Sequence, residues 1–199
     1  QLDNNKLVQI ADVELPDAQL PVKGMGDWAL VSTSKPYSLS SMWEGRTRSD
    51  YYKVSLATGE RTLIAEADYA GYRLSPAGKY VGTYNATDSC WYTINLADNR
   101  KIQLTTPQTF PAWDEDNDVP NYPSPHGMAG WTKGDAALLI YDRYDIWSFD
   151  PEGKKAPVRL TKDGREKQVT YRRIVLDREQ MDIDLKQPMM LTGFNEVDK

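Results

Sequence analysis

The sequence repeats itself at a spacing that few folds can use. Tyr52-Lys53-Val54-Ser55-Leu56-Ala57-Thr58-Gly59 and Tyr92-Thr93-Ile94-Asn95-Leu96-Ala97-Asp98-Asn99 share one pattern, with 40 residues between their first members. Each reads aromatic, polar, β-branched, polar, Leu, a turn, then a basic residue and a second apolar stretch. A third copy starts at Trp147-Ser148-Phe149-Asp150-Pro151-Glu152-Gly153 and ends at Val158-Arg159-Leu160-Thr161. It follows the second by 55 residues, so about fifteen extra residues intervene. Alternation of period two, rich in β-branched and aromatic residues, marks strands with a buried face. Thr58-Gly59, Asp98-Asn99 and Glu152-Gly153 supply residues that tolerate positive φ in tight turns. A unit of ~40–45 residues with about four short strands is the signature of a β-propeller blade.

The inner strands fit the same frame. Tyr72-Arg73-Leu74 leads through Ser75-Pro76-Ala77-Gly78-Lys79 into Tyr80-Val81-Gly82-Thr83-Tyr84. The third copy has Gly130-Trp131-Thr132-Lys133-Gly134-Asp135 before Ala136-Ala137-Leu138-Leu139-Ile140-Tyr141, and a less regular first copy has Gly26-Asp27 before Trp28-Ala29-Leu30-Val31. Val169 to Leu176 and Met189 to Phe194 read as strands of a fourth blade. The expected fold is therefore all-β, about three and a half four-stranded blades of a partial propeller spanning 1–199. The blades are expected at 22–65, 69–106, 128–162 and 168–199, with an insertion loop at 105–129. Helical periodicity is nearly absent, and only Leu176 to Leu185 suggests a short helical turn.

An arc of blades leaves apolar flanks at its two ends, whereas a closed ring has 4–8 blades. The expectation is a parent protein that supplies the remaining blades, or self-association through the open flanks. A compact small propeller is the alternative. The chain starts at Gln1-Leu2-Asp3-Asn4-Asn5 without an initiator Met, which fits a trimmed segment or a processed start.

Net charge and composition exclude some partners. At −5 with dispersed Lys and Arg, the chain lacks the concentrated basic surface that nucleic acid needs. No apolar run approaches ~20 residues, so no membrane-spanning helix is expected. Cys90 is the single cysteine, which rules out an intrachain disulfide; beside Trp91 its default role is a buried, inert thiol.

The insertion holds the candidate site. Loops of that length in a compact fold are usually functional or disordered. Asp114, Asp116 and Asp118 alternate and could offer oxygens to Ca²⁺, but Val119 and Pro125 stand where an EF-hand needs Gly and Glu. An unspecified cation site and a solvated acidic loop remain the two readings. His126, the only histidine, sits between Pro125 and Gly127 without a second ligand nearby, which favours an interface or turn role. Trp113 and Trp131 flank the insertion as anchors or as stacking surfaces for a substrate. With Tyr122 and His126 they make up the expected interface or substrate-gating loop. Asp142-Arg143-Tyr144-Asp145 reads as a hairpin turn with surface charges, and Asp50 and Asp88 as similar turn or strand-edge residues.

These residues carry a family resemblance. Ser75-Pro76-Ala77-Gly78-Lys79-Tyr80 resembles the blade turn of TolB-like propellers and of prolyl oligopeptidase relatives, although Ala77 replaces the usual Asp. Asp145-Ile146-Trp147-Ser148-Phe149-Asp150 looks like their recurring outer strand. The run Trp113 to Gly127 is similar to a loop of secreted dipeptidyl-peptidase and acylaminoacyl-peptidase relatives, especially those of Bacteroidetes, and Gly193-Phe194-Asn195-Glu196 also looks like that group. The resemblance covers about Tyr51 to Glu196. It implies a periplasmic or secreted serine peptidase in which a propeller screens the active-site cavity of an α/β-hydrolase domain and a peptide is the substrate. No Gly-x-Ser-x-Gly elbow is present, so no catalytic residue and no cofactor is expected in this segment. The alternative is a TolB-like propeller that binds a protein or peptide with no enzyme attached. A carbohydrate-binding or lyase propeller rests only on the many Tyr and Trp residues.

Overall fold

A computed structural model describes residues 7–197; the polar start at Gln1 to Asn5 and the last two residues of the expected fourth blade lie outside them. The fold is nearly all β. Three four-stranded antiparallel meanders follow one another along the chain, and a two-stranded ribbon closes the order. The first contains β1 (Asp17–Gln19), β2 (Trp28–Thr33), β3 (Ser49–Ser55) and β4 (Arg61–Asp68). The second contains β5 (Tyr72–Leu74), β6 (Tyr80–Asn85), β7 (Cys90–Asn95) and β8 (Lys101–Gln103). The third contains β9 (Met128–Thr132), β10 (Leu138–Tyr141), β11 (Ile146–Phe149) and β12 (Val158–Arg159). Tyr52, Tyr92 and Trp147 all fall on the third strand of their sheets. The turns after those strands place Gly59, Asn99 and Gly153 at φ of 79°, 61° and 65°, the left-handed region their residue types favour.

Both faces of the inner sheets are apolar, and strand alternation sends successive residues into different layers. Ala29, Val31 and Val54 pack on one side of the first sheet, while Leu30 joins Tyr72, Val81, Ile94 and Leu96 between the first two sheets. Leu138 and Ile140 join Tyr84, Trp91, Phe110 and Trp131 between the second and third sheets. Leu139 and Tyr141, alternate members of the same strand, face the opposite layer with Ile146 and Ile183. All four residues of β10 are buried for that reason. Burying one such aliphatic side chain stabilises the fold by about 1.5–3 kcal/mol.

Polar links fasten the sheets at their turns. The buried Asp135 carboxylate accepts from Ser75 Oγ at 2.5 Å, from Ala77 N at 3.0 Å and from Lys79 N at 3.2 Å. The turn before β10 is thereby bonded to the turn before β6. Gln19 bridges the free edge of β5, donating to Tyr72 O and accepting from Leu74 N, both at 2.9 Å. Lys53 reaches Leu96 O at 2.7 Å and lies 4.2 Å from the Trp28 ring.

The C-terminal part departs from a four-stranded blade. β13 (Val169–Arg173) pairs antiparallel with β15 (Leu191–Asn195) only, as a ribbon. Between them β14 (Asp182–Ile183) pairs parallel with β9 on the edge of the third sheet. No helix forms between Leu176 and Leu185, where a turn was expected; Ile183 is drawn into the apolar layer of the third sheet instead. Among the described residues the α-helices are two single turns, α1 (Ser41–Glu44) and α2 (Gly164–Lys167).

Candidate functional site

The insertion between β8 and β9 is tied down at its base. Thr105 Oγ1 accepts from Trp91 N at 2.8 Å, and Phe110 packs edge-on against Phe149 and Trp147 at 5.0 and 5.5 Å. Trp113 forms an antiparallel bridge with Pro125, while Asp114 N donates to Ser124 O at 2.8 Å and His126 N to Ala112 O at 3.0 Å. The tip is thus a closed excursion on a short two-stranded neck.

The acidic residues of that tip go separate ways. Asp114 accepts from Asp116 N at 3.1 Å, and Asp116 pairs with Arg143 at 2.9 Å, which in turn holds Glu196 at 2.9 Å. Asp118 is exposed. Asp114, Asp116 and Asp118 do not form the suggested cation site, and Arg143 pairs with the Asp116 carboxylate. Among the described residues no group of three acidic, His or Cys side chains could hold a metal ion.

A cleft of about 770 Å³ opens between the inner strands β5 and β9, against residues 121–125 and Gly127 of the insertion. A bulge in β9 shapes it. Gly130 opposes Leu139 and Met128 opposes Ile140, so Ala129 is the extra residue. Gly130 adopts φ 133°, and a Cβ there would meet Ile183 Cδ1 at 3.2 Å. The apolar wall includes Tyr84, Trp91 and Trp131, with Trp131 stacked on Tyr80 at 5.9 Å. Tyr84 Oη, Trp91 Nε1 and Trp131 Nε1 are buried without a hydrogen-bond partner.

Tyr122 and Trp131 line this cleft. Trp113 and His126 do not; they belong to the neck, although Pro125 and Gly127 on either side of His126 reach the cleft. Nε2 of His126 is buried and has no hydrogen-bond partner. Burial holds its pKa below the usual histidine value, the nearby Arg172 guanidinium adds to this, and Asp114, Asp142 and Glu115 oppose it. Burial raises the Cys90 thiol, which donates to Asp88 O at 3.1 Å.

Arg46, Tyr69 and Arg73 are among the cleft residues that were not singled out from the sequence. Arg46 lies 4.1 Å from the Tyr69 ring centre and 5.9 Å from that of Tyr122. Tyr69 and Arg73 come from the link between the first two sheets and from β5. Arg46 comes from the connection between β2 and β3, which runs over 34–48 where the corresponding links cover 86–89 and 142–145. That excess length within the repeat was the available signal.

Asp142 and Asp145 are not surface charges, as the turn between β10 and β11 had suggested. Both are buried. Asp142 accepts from Tyr144 N and from Trp147 Nε1. Asp145 accepts from Arg159 at 2.5 Å, Thr161 Oγ1 at 2.8 Å and Gly164 N at 3.1 Å. The turn itself forms where expected.

No known protein family matches the chain, and no curated protein matches it. Among solved structures, the chain is similar to an acylaminoacyl peptidase in complex with Z-Gly-Gly-Phe-chloromethyl ketone, at 12% identity and a TM-score of 0.31. The match covers 80% of this chain and 33% of that one, so the chain spans about a third of that peptidase's length.

Proposed function

We propose that the chain is the propeller portion of a serine peptidase of the dipeptidyl, acylaminoacyl or prolyl oligopeptidase type. On this reading it carries no catalytic residue, and its inner cleft receives peptide on the way to an α/β-hydrolase domain elsewhere in the parent protein. That enzyme works in the periplasm or outside the cell. The reading is supported by the blade repeat, by the motifs at Ser75 to Tyr80 and Trp113 to Gly127, and above all by the cleft. Its volume of about 770 Å³ suits a small ligand or a few extended residues.

The way a peptide would be held follows from the strand edges. β9 is covered at Trp131 and Thr132 by β14, and Arg173 Nη1 donates to Ala129 O at 3.1 Å. Gln19 occupies the edge of β5. A peptide therefore cannot enter as an added strand on these edges, and side chains of the cleft do the recognising. Titration with short unstructured peptides, followed by tryptophan fluorescence, tests this. Saturable change is expected, and it should weaken when Trp131 is replaced by Phe and Tyr122 by Ala. Absence of any response to peptides overturns the peptide-cleft reading. Equal or tighter capture of a folded protein would instead favour an interaction propeller with no enzyme attached.

A further inference from the structure

The peptide cleft carries two arginines that form no ion pair with a carboxylate among the described residues. Arg48, Arg61, Arg100, Arg143, Arg159 and Arg165 each lie within ion-pair distance of an acidic side chain. Arg46 and Arg73 have no such partner among the described residues, and both line the cleft.

Arg46 is positioned rather than free to wander. Gly45 ends α1 at φ 69° and turns the chain so that the Arg46 guanidinium lies on the Tyr69 ring. Tyr69 is fixed in turn by its hydroxyl, which donates to Glu44 Oε2 at 2.9 Å, and Glu44 is held by Arg48. Glu44 is thus already engaged, while the aromatic face steadies the cation without cancelling its charge. Arg73 stands on β5 between Tyr72 and Leu74, which both pack into the layer towards the first sheet. Strand alternation turns Arg73 to the opposite face, where the cleft lies. Asp68 is the one acidic residue of the lining, and it accepts from Tyr72 Oη at 2.7 Å and Ala70 N at 2.9 Å. The lining therefore carries a net positive charge in a chain of net charge −5.

We infer that this cleft selects peptides in which an acidic side chain adjoins an aromatic or large apolar residue. The carboxylate binds at Arg46 and Arg73, and the apolar side chain packs on the wall formed by Trp91, Trp131 and Tyr84. The planar guanidinium suits this role, because it can hold both carboxylate oxygens in parallel hydrogen bonds. The inference rests on the peptide-binding reading above and specifies what that site takes.

Three acetylated tetrapeptides test it on the whole chain: Ala-Phe-Asp-Ala amide, Ala-Phe-Asn-Ala amide, and Ala-Phe-Asn-Ala with a free C-terminus. The aspartate peptide should bind about tenfold more tightly than its asparagine amide, a gap that salt diminishes by screening. Combined R46A and R73A should abolish the gap, the aspartate peptide losing about tenfold more affinity than the asparagine peptide. Both side chains are exposed, so the fold should survive. The R46K and R73K pair should retain part of the gap, since charge remains but the fork is lost. Equal affinities for the two amides, or a preference confined to the free C-terminus, overturn the inference and leave the peptide cleft standing. If none of the three binds, the peptide-cleft reading itself fails.

Discussion

The third sheet and the ribbon that follows it are written in the same alternating style and end in different states. Every residue of β10 is buried, whereas no residue of β13 is, and Phe194 in β15 is exposed. The difference lies in what covers each face. β10 has an apolar layer on both sides, with Phe110 and Trp131 facing Leu138 and Ile140, and Ile146 and Ile183 facing Leu139 and Tyr141. The ribbon region reaches the latter apolar layer through Leu191 and Met189, and β14, which lies between its two strands in sequence, pairs with the third sheet instead. Alternation specifies a strand; neighbours on both faces make it a blade. The same comparison ranks the consequences of mutation.

Truncation at the centre of β10 should cost most. Ile140→Ala removes a side chain with no exposed surface from the layer between sheets, a change of about 2–5 kcal/mol. Phe194→Ala should stay within about 0.5 kcal/mol, as expected of exposed positions. Urea denaturation of both variants measures the contrast. Should Ile140→Ala fail to fold, Ile140→Val gives the same ranking at about 1 kcal/mol. Equal effects at the two sites would mean that the ribbon face is covered in solution.

Next in size is the polar knot that joins the two regions. Asp145 collects Arg159, Thr161 and the first amides of α2, so it fastens the end of the third sheet to the chain entering β13. Asp145→Asn keeps the shape but replaces one acceptor oxygen with a donor facing Arg159. The expected loss is about 2 kcal/mol, reduced from the range for buried pairs because Arg159 also reaches Glu166. Thermal unfolding would show whether the ribbon separates as an earlier transition.

Much of this was legible in the sequence, for definable reasons. The third strands announced themselves because Tyr52, Tyr92 and Trp147 recur with their turns, and turn chemistry is local. Leu104-Thr105 and Leu160-Thr161 recur too, and in both sheets the Thr hydroxyl accepts from a third-strand amide, Trp91 N and Ile146 N. The fate of β14 was not legible, because a two-residue parallel pairing leaves no periodic trace. Nor was the burial of Asp142 and Asp145, since a charged turn looks the same whether its carboxylates meet water or backbone amides. The cleft was half legible. Tyr122 and Trp131 stood out as part of the insertion, whereas Arg46 and Arg73 come together only through the packing of one sheet on the next.

The smallest effect concerns His126, which sits at the neck of the insertion and faces Arg172 of the ribbon. Its folded pKa is depressed below the usual 6.5, chiefly by burial and then by Arg172, against the opposing pull of Asp114, Asp142 and Glu115. Below pH 6.5 the unfolded chain therefore binds a proton that the folded chain refuses. The histidine's contribution to stability is complete above about pH 6.5 and declines as the pH falls towards the depressed value. The slope from one such group cannot exceed about 1.4 kcal/mol per pH unit. Comparing wild type with His126→Gln between pH 7 and 5.5 isolates it from carboxylates that titrate lower. The variant should show a flatter profile, and Arg172→Gln should flatten it only in part, because burial of the ring persists. Identical profiles in wild type and His126→Gln would show that the ring is solvated, and the neck would then be looser than the third sheet on which it rests.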